Sequence, residues 1–133
     1  MSGECQQVLS EVNDNFTSPN YPNIYPNNIN CHWIITLAEG YRIKLSFPVI
    51  ELEERNSLTD ECDYDSVAVF DGNSQTDPIL GHWCGSEHPP YLISKGNQLL
   101  VVLSTDRNDA YKGFSATYIG GECLIHDCPH LLS

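Results

Sequence analysis

Seven carboxylates crowd one short stretch of this chain: Glu51, Glu53, Glu54, Asp60, Glu61, Asp63 and Asp65. Arg55 is the one basic residue among them. Carboxylates held together repel one another and shift toward the protonated form unless a cation or basic group offsets them. The crowd runs into CDYDSVAVFDG, Cys62 to Gly72. That segment combines a disulfide anchor, carboxylates at the mouth of a strand, the apolar run Val67 to Phe70, and an Asp71-Gly72 turn signal. A second polar group, Asp106-Arg107-Asn108-Asp109, follows the run Gln98 to Ser104. The chemistry on offer is the binding of a hard cation or a basic ligand by oxygen.

Other chemistries find less support. The histidines build no catalytic arrangement: the chain has neither Gly-x-Ser-x-Gly nor His-Glu-x-x-His. His82, beside Trp83, reads as a structural or exposed residue, and Glu87-His88 as a loop pair. Cys123, His126, Cys128 and His130 are all zinc-ligand types. Their tight spacing and oxidising context favour a small disulfide loop or linker cysteines. A formal charge of −12, from six Lys and Arg against eighteen Asp and Glu, argues against nucleic acid and anionic membrane as partners.

The elements that must position these acids read as short strands. The chain has 133 residues, enough for one domain with a real core, and no apolar run long enough to span a membrane. Residues 5–30, with Pro19, Pro22 and Pro26, exclude a helix and read as an extended, looping entrance. His32 to Leu37 sets Trp33, Ile35 and Leu37 on one face. Tyr41 to Phe47 alternates, with Tyr41, Ile43, Leu45 and Phe47 inward, and Pro48 closes it. Residues 50–61 read as an acidic loop, 66–70 as a strand, and Leu80 to Cys84 as a short apolar piece. Gln98 to Ser104 is apolar on both faces, as a central strand requires. Gly113 to Ile119 is the last strand, with Phe114, Ala116 and Tyr118 on one side, and Gly120-Gly121 ends the domain. The fold class is all-β, an antiparallel sandwich or jelly roll.

Six cysteines in a short chain place it in an oxidising compartment. Their order suggests sequential pairing (Cys5 with Cys31, Cys62 with Cys84, Cys123 with Cys128) among the many connectivities that six allow. Asn15-Phe16-Thr17 is an N-glycosylation sequon. No apolar leader follows Met1, so the chain reads as an excised or mature piece of a secreted protein with a start Met added.

The ordered set SPNYPNIYPNN, Cys31 with Trp33, FPVIELE, CDYDSVAVFDG, LGHWCG, SKGNQLLVVLSTD and GFSATY resembles the CUB domain, an extracellular module of complement and tolloid-type proteases, cubilin and relatives. The resemblance covers residues 5–118 and leaves 119–133 as a linker or the start of a following module. It implies a jelly-roll sandwich of two mostly antiparallel sheets and disulfides Cys5–Cys31 and Cys62–Cys84. It also implies Ca2+, held by Glu53, Asp65 and Asp106, with the carbonyl of Asn108 and the side chain of Asp109 added and Tyr25 bracing the ligands. It further implies a secreted, non-catalytic module that docks a Lys or Arg of a protein partner, or self-associates, through Glu53 and Asp106 with Tyr25 nearby, without membrane insertion. The alternatives are a spermadhesin-like binder of glycan or lipid surfaces and a structural spacer beside a protease domain.

Overall fold

A computed structural model describes residues 4–122. Cys123, His126, Cys128 and His130 lie outside the described residues, so neither the expected third disulfide nor the alternative zinc arrangement is described there. The described residues form nine strands and no helix, and none of their segments is a helix long and apolar enough to cross a membrane. The strands are β1 Glu4–Leu9, β2 Asn13–Thr17, β3 Asn30–Thr36, β4 Tyr41–Glu51, β5 Ser66–Phe70, β6 Ile79–Trp83, β7 Leu92–Ile93, β8 Gln98–Ser104 and β9 Gly113–Glu122.

They make a five-stranded sheet in the order β1-β3-β8-β5-β6 and a four-stranded sheet in the order β2-β9-β4-β7. All pairings are antiparallel except β1 with β3. The all-β sandwich expected from strand spacing is thus what the chain forms. β8 occupies the centre of its sheet, and its five inner residues Leu99 to Leu103 are all buried. Leu99, Val101 and Leu103 face the core, where they meet Ile35, Val67 and Val69 of the same sheet. Ile43, Leu45, Phe47, Ala116 and Tyr118 line the facing sheet, as their alternation requires. Phe16, Trp33, Phe47 and Phe114 form an aromatic knot with ring centroids 5.2–5.9 Å apart, in the stacked and edge-on geometries that rings prefer.

Three local expectations give way to long-range pairing, and one short strand goes unforeseen. The entrance is not all loop: β1 adds to β3 with Cys5 opposite Cys31, β2 adds to β9, and Leu9 and Phe16 are buried. The proline-rich loop shrinks to residues 18–29. Pro48 does not end β4. The strand continues to Glu51 with its register shifted between Ser46 and Val49, because a residue without an N–H is accommodated at a bulge. The two-residue β7 has too few residues to show a period, and it pairs with Lys44 and Leu45. Gly120 and Gly121 lie inside β9, opposite Ile43 and Arg42.

Candidate metal centre at the loop end of the sandwich

Three loops meet at one end of the sandwich; two carry an acidic cluster and the third braces it. They are the β2–β3 loop with Tyr25, the β4–β5 loop from Leu52 to Asp65, and the β8–β9 loop with Asp106 to Asp109. Main-chain bonds lace them together. Tyr25 N–H donates to the Tyr111 carbonyl at 3.0 Å and Asn28 N–H to the Asp106 carbonyl at 2.8 Å. Thr105 N–H donates to the Ile29 carbonyl at 2.9 Å, and the Thr105 hydroxyl accepts from Ile29 N–H and donates to the Pro26 carbonyl. On the other side Leu52 N–H donates to the Gly85 carbonyl at 2.8 Å, and Gly85 N–H to the Glu53 carbonyl at 3.0 Å. Gly85 has φ +61, in the left-handed region that favours glycine. The Cys62–Cys84 disulfide secures the same corner, and Cys5–Cys31 joins β1 to β3.

Within this frame carboxylate oxygens of Glu53, Asp65 and Asp106 come within 4.8 Å of one another. Asp65 is fully buried. Its Oδ2 accepts the Tyr25 hydroxyl at 2.5 Å and its Oδ1 accepts Asp106 N–H at 2.8 Å. Asp106 Oδ1 in turn accepts Asn108 N–H at 3.0 Å. Glu53 Oε1 is buried and has no hydrogen-bond partner.

Tyr25 is only 1% exposed. The expectation that it sits at a partner surface therefore meets a buried phenol, and its contact is with Asp65. Asp109 is exposed with φ +56, and its carboxyl lies against Glu53. Asn108 is also exposed and enters the cluster through its main-chain N–H. Asp63 accepts from Thr59 and Asn56 and so shapes its own loop. Arg55 pairs with Glu87, outside the crowd, at 2.6 Å. His82 is exposed on β6. Cys62, Cys84 and Glu87 also group closely, but both sulfurs are spent in the disulfide.

The electrostatics match the crowding. Burial, followed by the charges of Asp106, Asp65 and Asp109, pushes the Glu53 carboxyl up to about 7. Burial also raises Asp65, against the opposing hydrogen bonds from Tyr25 and Asp106. The Tyr25 phenol is pushed well above its usual range by burial, then by its bond to Asp65 and that carboxylate's charge. Two like charges at this separation repel by about 3.5 kcal/mol at an effective dielectric of about 20. Three ionised carboxylates would add such terms pairwise, less the screening that solvent gives the partly exposed Glu53 and Asp106. The cluster needs a proton or a cation, and its all-oxygen donors suit a hard divalent ion.

Comparison with known proteins agrees with this architecture. The CUB domain family profile matches residues 5–118. The chain is 40% identical to human Tolloid-like protein 1 over 115 residues, covering 86% of this chain and 11% of that one. It therefore spans about a tenth of that relative. Among solved structures, the full extracellular region of zebrafish Gpr126/Adgrg6 aligns with a TM-score of 0.75 and 33% identity, over 87% of this chain and 14% of that one. The MASP-1 CUB2 domain bound to Ca2+ aligns with a TM-score of 0.75 and 24% identity, over 90% and 99% of the two chains. That likeness speaks to the fold alone. With the profile spanning nearly all of the described sandwich, the chain belongs to the CUB domain family.

Proposed function

We propose that this chain is a non-catalytic extracellular interaction module that binds one calcium ion at the loop end and presents its carboxylates to a Lys or Arg of a protein partner. The observation that carries the reading is Glu53 Oε1, a buried carboxylate oxygen with no hydrogen-bond partner, on a side chain that groups with the carboxylates of Asp65 and Asp106. A buried unpaired acceptor is costly, and a cation satisfies it while cancelling the repulsion around it. Glu53, Asp65 and Asp106 would hold the ion, with the Asn108 carbonyl and the Asp109 carboxylate completing an oxygen shell. Tyr25 positions Asp65 from beneath. When bound, the ion supplies charge and rigidity, holding three loops in one arrangement.

Glu53 and Asp106 are each partly exposed, so they would be the acceptors for a partner's ammonium or guanidinium. The charge of −12 steers a basic partner toward the module. A single contact of this kind is weak and screened by salt, and several copies in one assembly strengthen it. Two disulfides fit an oxidising, extracellular setting, and the Gpr126/Adgrg6 relative matches within an extracellular region.

The test is calorimetric titration of calcium into chelator-stripped protein, with Asp106→Ala alongside, followed by a lysine-rich peptide with and without calcium. One saturable site, lost in the variant, together with calcium-dependent and salt-sensitive peptide binding, is the expected result. Absence of calcium heat would remove the metal. Calcium binding without peptide binding would leave a structural spacer, and binding to glycan or vesicles that persists in chelator would move the function to a surface-binding class.

A further inference from the structure

The outer face of the four-stranded sheet carries a feature unrelated to the calcium end. Asn15, of the sequon Asn15-Phe16-Thr17, lies on β2, the edge strand of this sheet. Phe16 points into the core, so Asn15 and Thr17 point outward, and both are exposed. The Asn15 Oδ1 accepts the Thr117 hydroxyl at 3.0 Å. That bond occupies the carbonyl end of the amide and leaves Nδ2 as the end to be modified.

The register continues the row across the sheet. Asn15 is opposite Thr117, and Thr117 is opposite Ser46. Since Leu45 is opposite Leu92, the next position beside Ser46 belongs to Tyr91. The row therefore runs Asn15, Thr117, Ser46, Tyr91 over three interstrand steps, about 14 Å at ~4.8 Å each. Its two middle members are small and hydroxylated. They floor a shallow trough of about 180 Å³ lined also by Lys44, Tyr91, Tyr118 and Ile119. At the far end the Tyr91 ring is 67% exposed, with Lys44 Nζ 4.3 Å from its centroid.

We infer that Asn15 carries an N-linked glycan whose first sugars lie in this trough against Tyr91. The hydroxyls of Thr117 and Ser46 suit sugar hydroxyls, and the face of the Tyr91 ring that Lys44 does not cover suits the C–H face of a pyranose ring. In the linking step Asn15 Nδ2 forms a bond to the anomeric carbon of an oligosaccharide carried on a polyprenyl pyrophosphate. The anomeric C–O bond breaks, its electron pair leaves with the pyrophosphate, and one Nδ2 proton is released. No redox change occurs. A sugar along this row covers the outer face of the sheet between β2 and β7. The inference is independent of the calcium reading.

The test is secretion of the full chain from cultured animal cells. Peptide mapping after amidase release of N-glycans in heavy-oxygen water should convert Asn15 to labelled Asp. Thr17→Ala should abolish the conversion, and Thr17→Ser should retain it. An unmodified Asn15 in secreted, folded protein would overturn the proposal. Placement in the trough is read from thermal midpoints: Thr17→Ala should lower the midpoint by about 3 °C with Tyr91 present, and by much less in a Tyr91→Ala background. An equal effect in both backgrounds would mean a glycan projecting into solvent and would refute the trough. Tyr91 ring-proton shifts that differ between glycosylated protein and Thr17→Ala would support it in unaltered sheet residues.

Discussion

Replacing Glu53 with Gln should stabilise the metal-free protein and destabilise the calcium-loaded one. Gln keeps the size of the side chain and removes its charge from beside Asp65 and Asp106. In the folded, metal-free state the Glu53 carboxyl is raised from 4.5 to about 7 by burial and by its acidic neighbours. A group raised in this way holds its proton more tightly folded than unfolded. Its favourable contribution is complete below pH 4.5 and is lost as the pH rises to about 7. The wild type therefore falls behind Glu53→Gln across that interval, with the gap level above it. The full shift corresponds to about 3 kcal/mol, and solvent screening at this partly exposed side chain reduces that to roughly 1–2 kcal/mol. For a chain of this length the gap is about 3–8 °C in melting temperature. Calcium at a hundred times its dissociation constant adds about 2.7 kcal/mol to the wild type, while the variant lacks one carboxylate ligand and gains less. The order of melting temperatures then reverses. The assay is thermal unfolding by circular dichroism at pH 5 and pH 8, in chelator and in calcium. A variant less stable than wild type in chelator at pH 8, or an equal calcium response in both proteins, would refute the reasoning.

Three further outcomes follow from the same geometry. Tyr25→Phe removes the 2.5 Å bond to buried Asp65 and should cost about 1.5–3 kcal/mol in urea unfolding, with weaker calcium binding by calorimetry. An unchanged calcium affinity would show that Asp65 needs no positioning. Removing either disulfide as a double Cys→Ala change should cost roughly 3 kcal/mol, since the loops they close, with separations of 26 and 22 residues, are nearly equal. Loss of Cys62–Cys84 should weaken calcium binding and loss of Cys5–Cys31 should spare it, as calcium titration of the two variants would reveal. Phe114→Ala, at the centre of the aromatic knot, should cost about 3–5 kcal/mol, read as a lower urea midpoint with little change in slope.

Much of the fold is legible in residue order because side-chain alternation is a local property. The alternation from Tyr41 to Phe47 marks an inner and an outer face whatever strand lies beside it, and the two-faced apolar run from Leu99 to Leu103 can be satisfied only at the centre of a sheet. The acidic crowd is equally plain, since its repulsion follows from density alone. Partner choice is not local. β1 and β2 sit in a stretch rich in Asn and Pro, and they become strands because β3 and β9 offer free edges and because Leu9 and Phe16 are buried. Pro48 looks like a terminator, yet β9 carries β4 past it on a bulge.

By itself the sequence determined the all-β class, the faces of the long strands, cysteines in an order that suggests sequential pairing, and a surplus of carboxylates. Motif order added the family. Only the tertiary structure decided which carboxylates meet: Glu53, Asp65 and Asp106 share no local period and come together because three loops are laced at one end. It also decided that Tyr25 is buried and bonded to Asp65, that Glu53 Oε1 lacks a partner, and that Asn15 shares a row with Tyr91. Periodicity assigns a side chain to a face. Which residues become neighbours depends on hydrogen bonds between strands and loops far apart in the chain, and those form only when the sandwich closes.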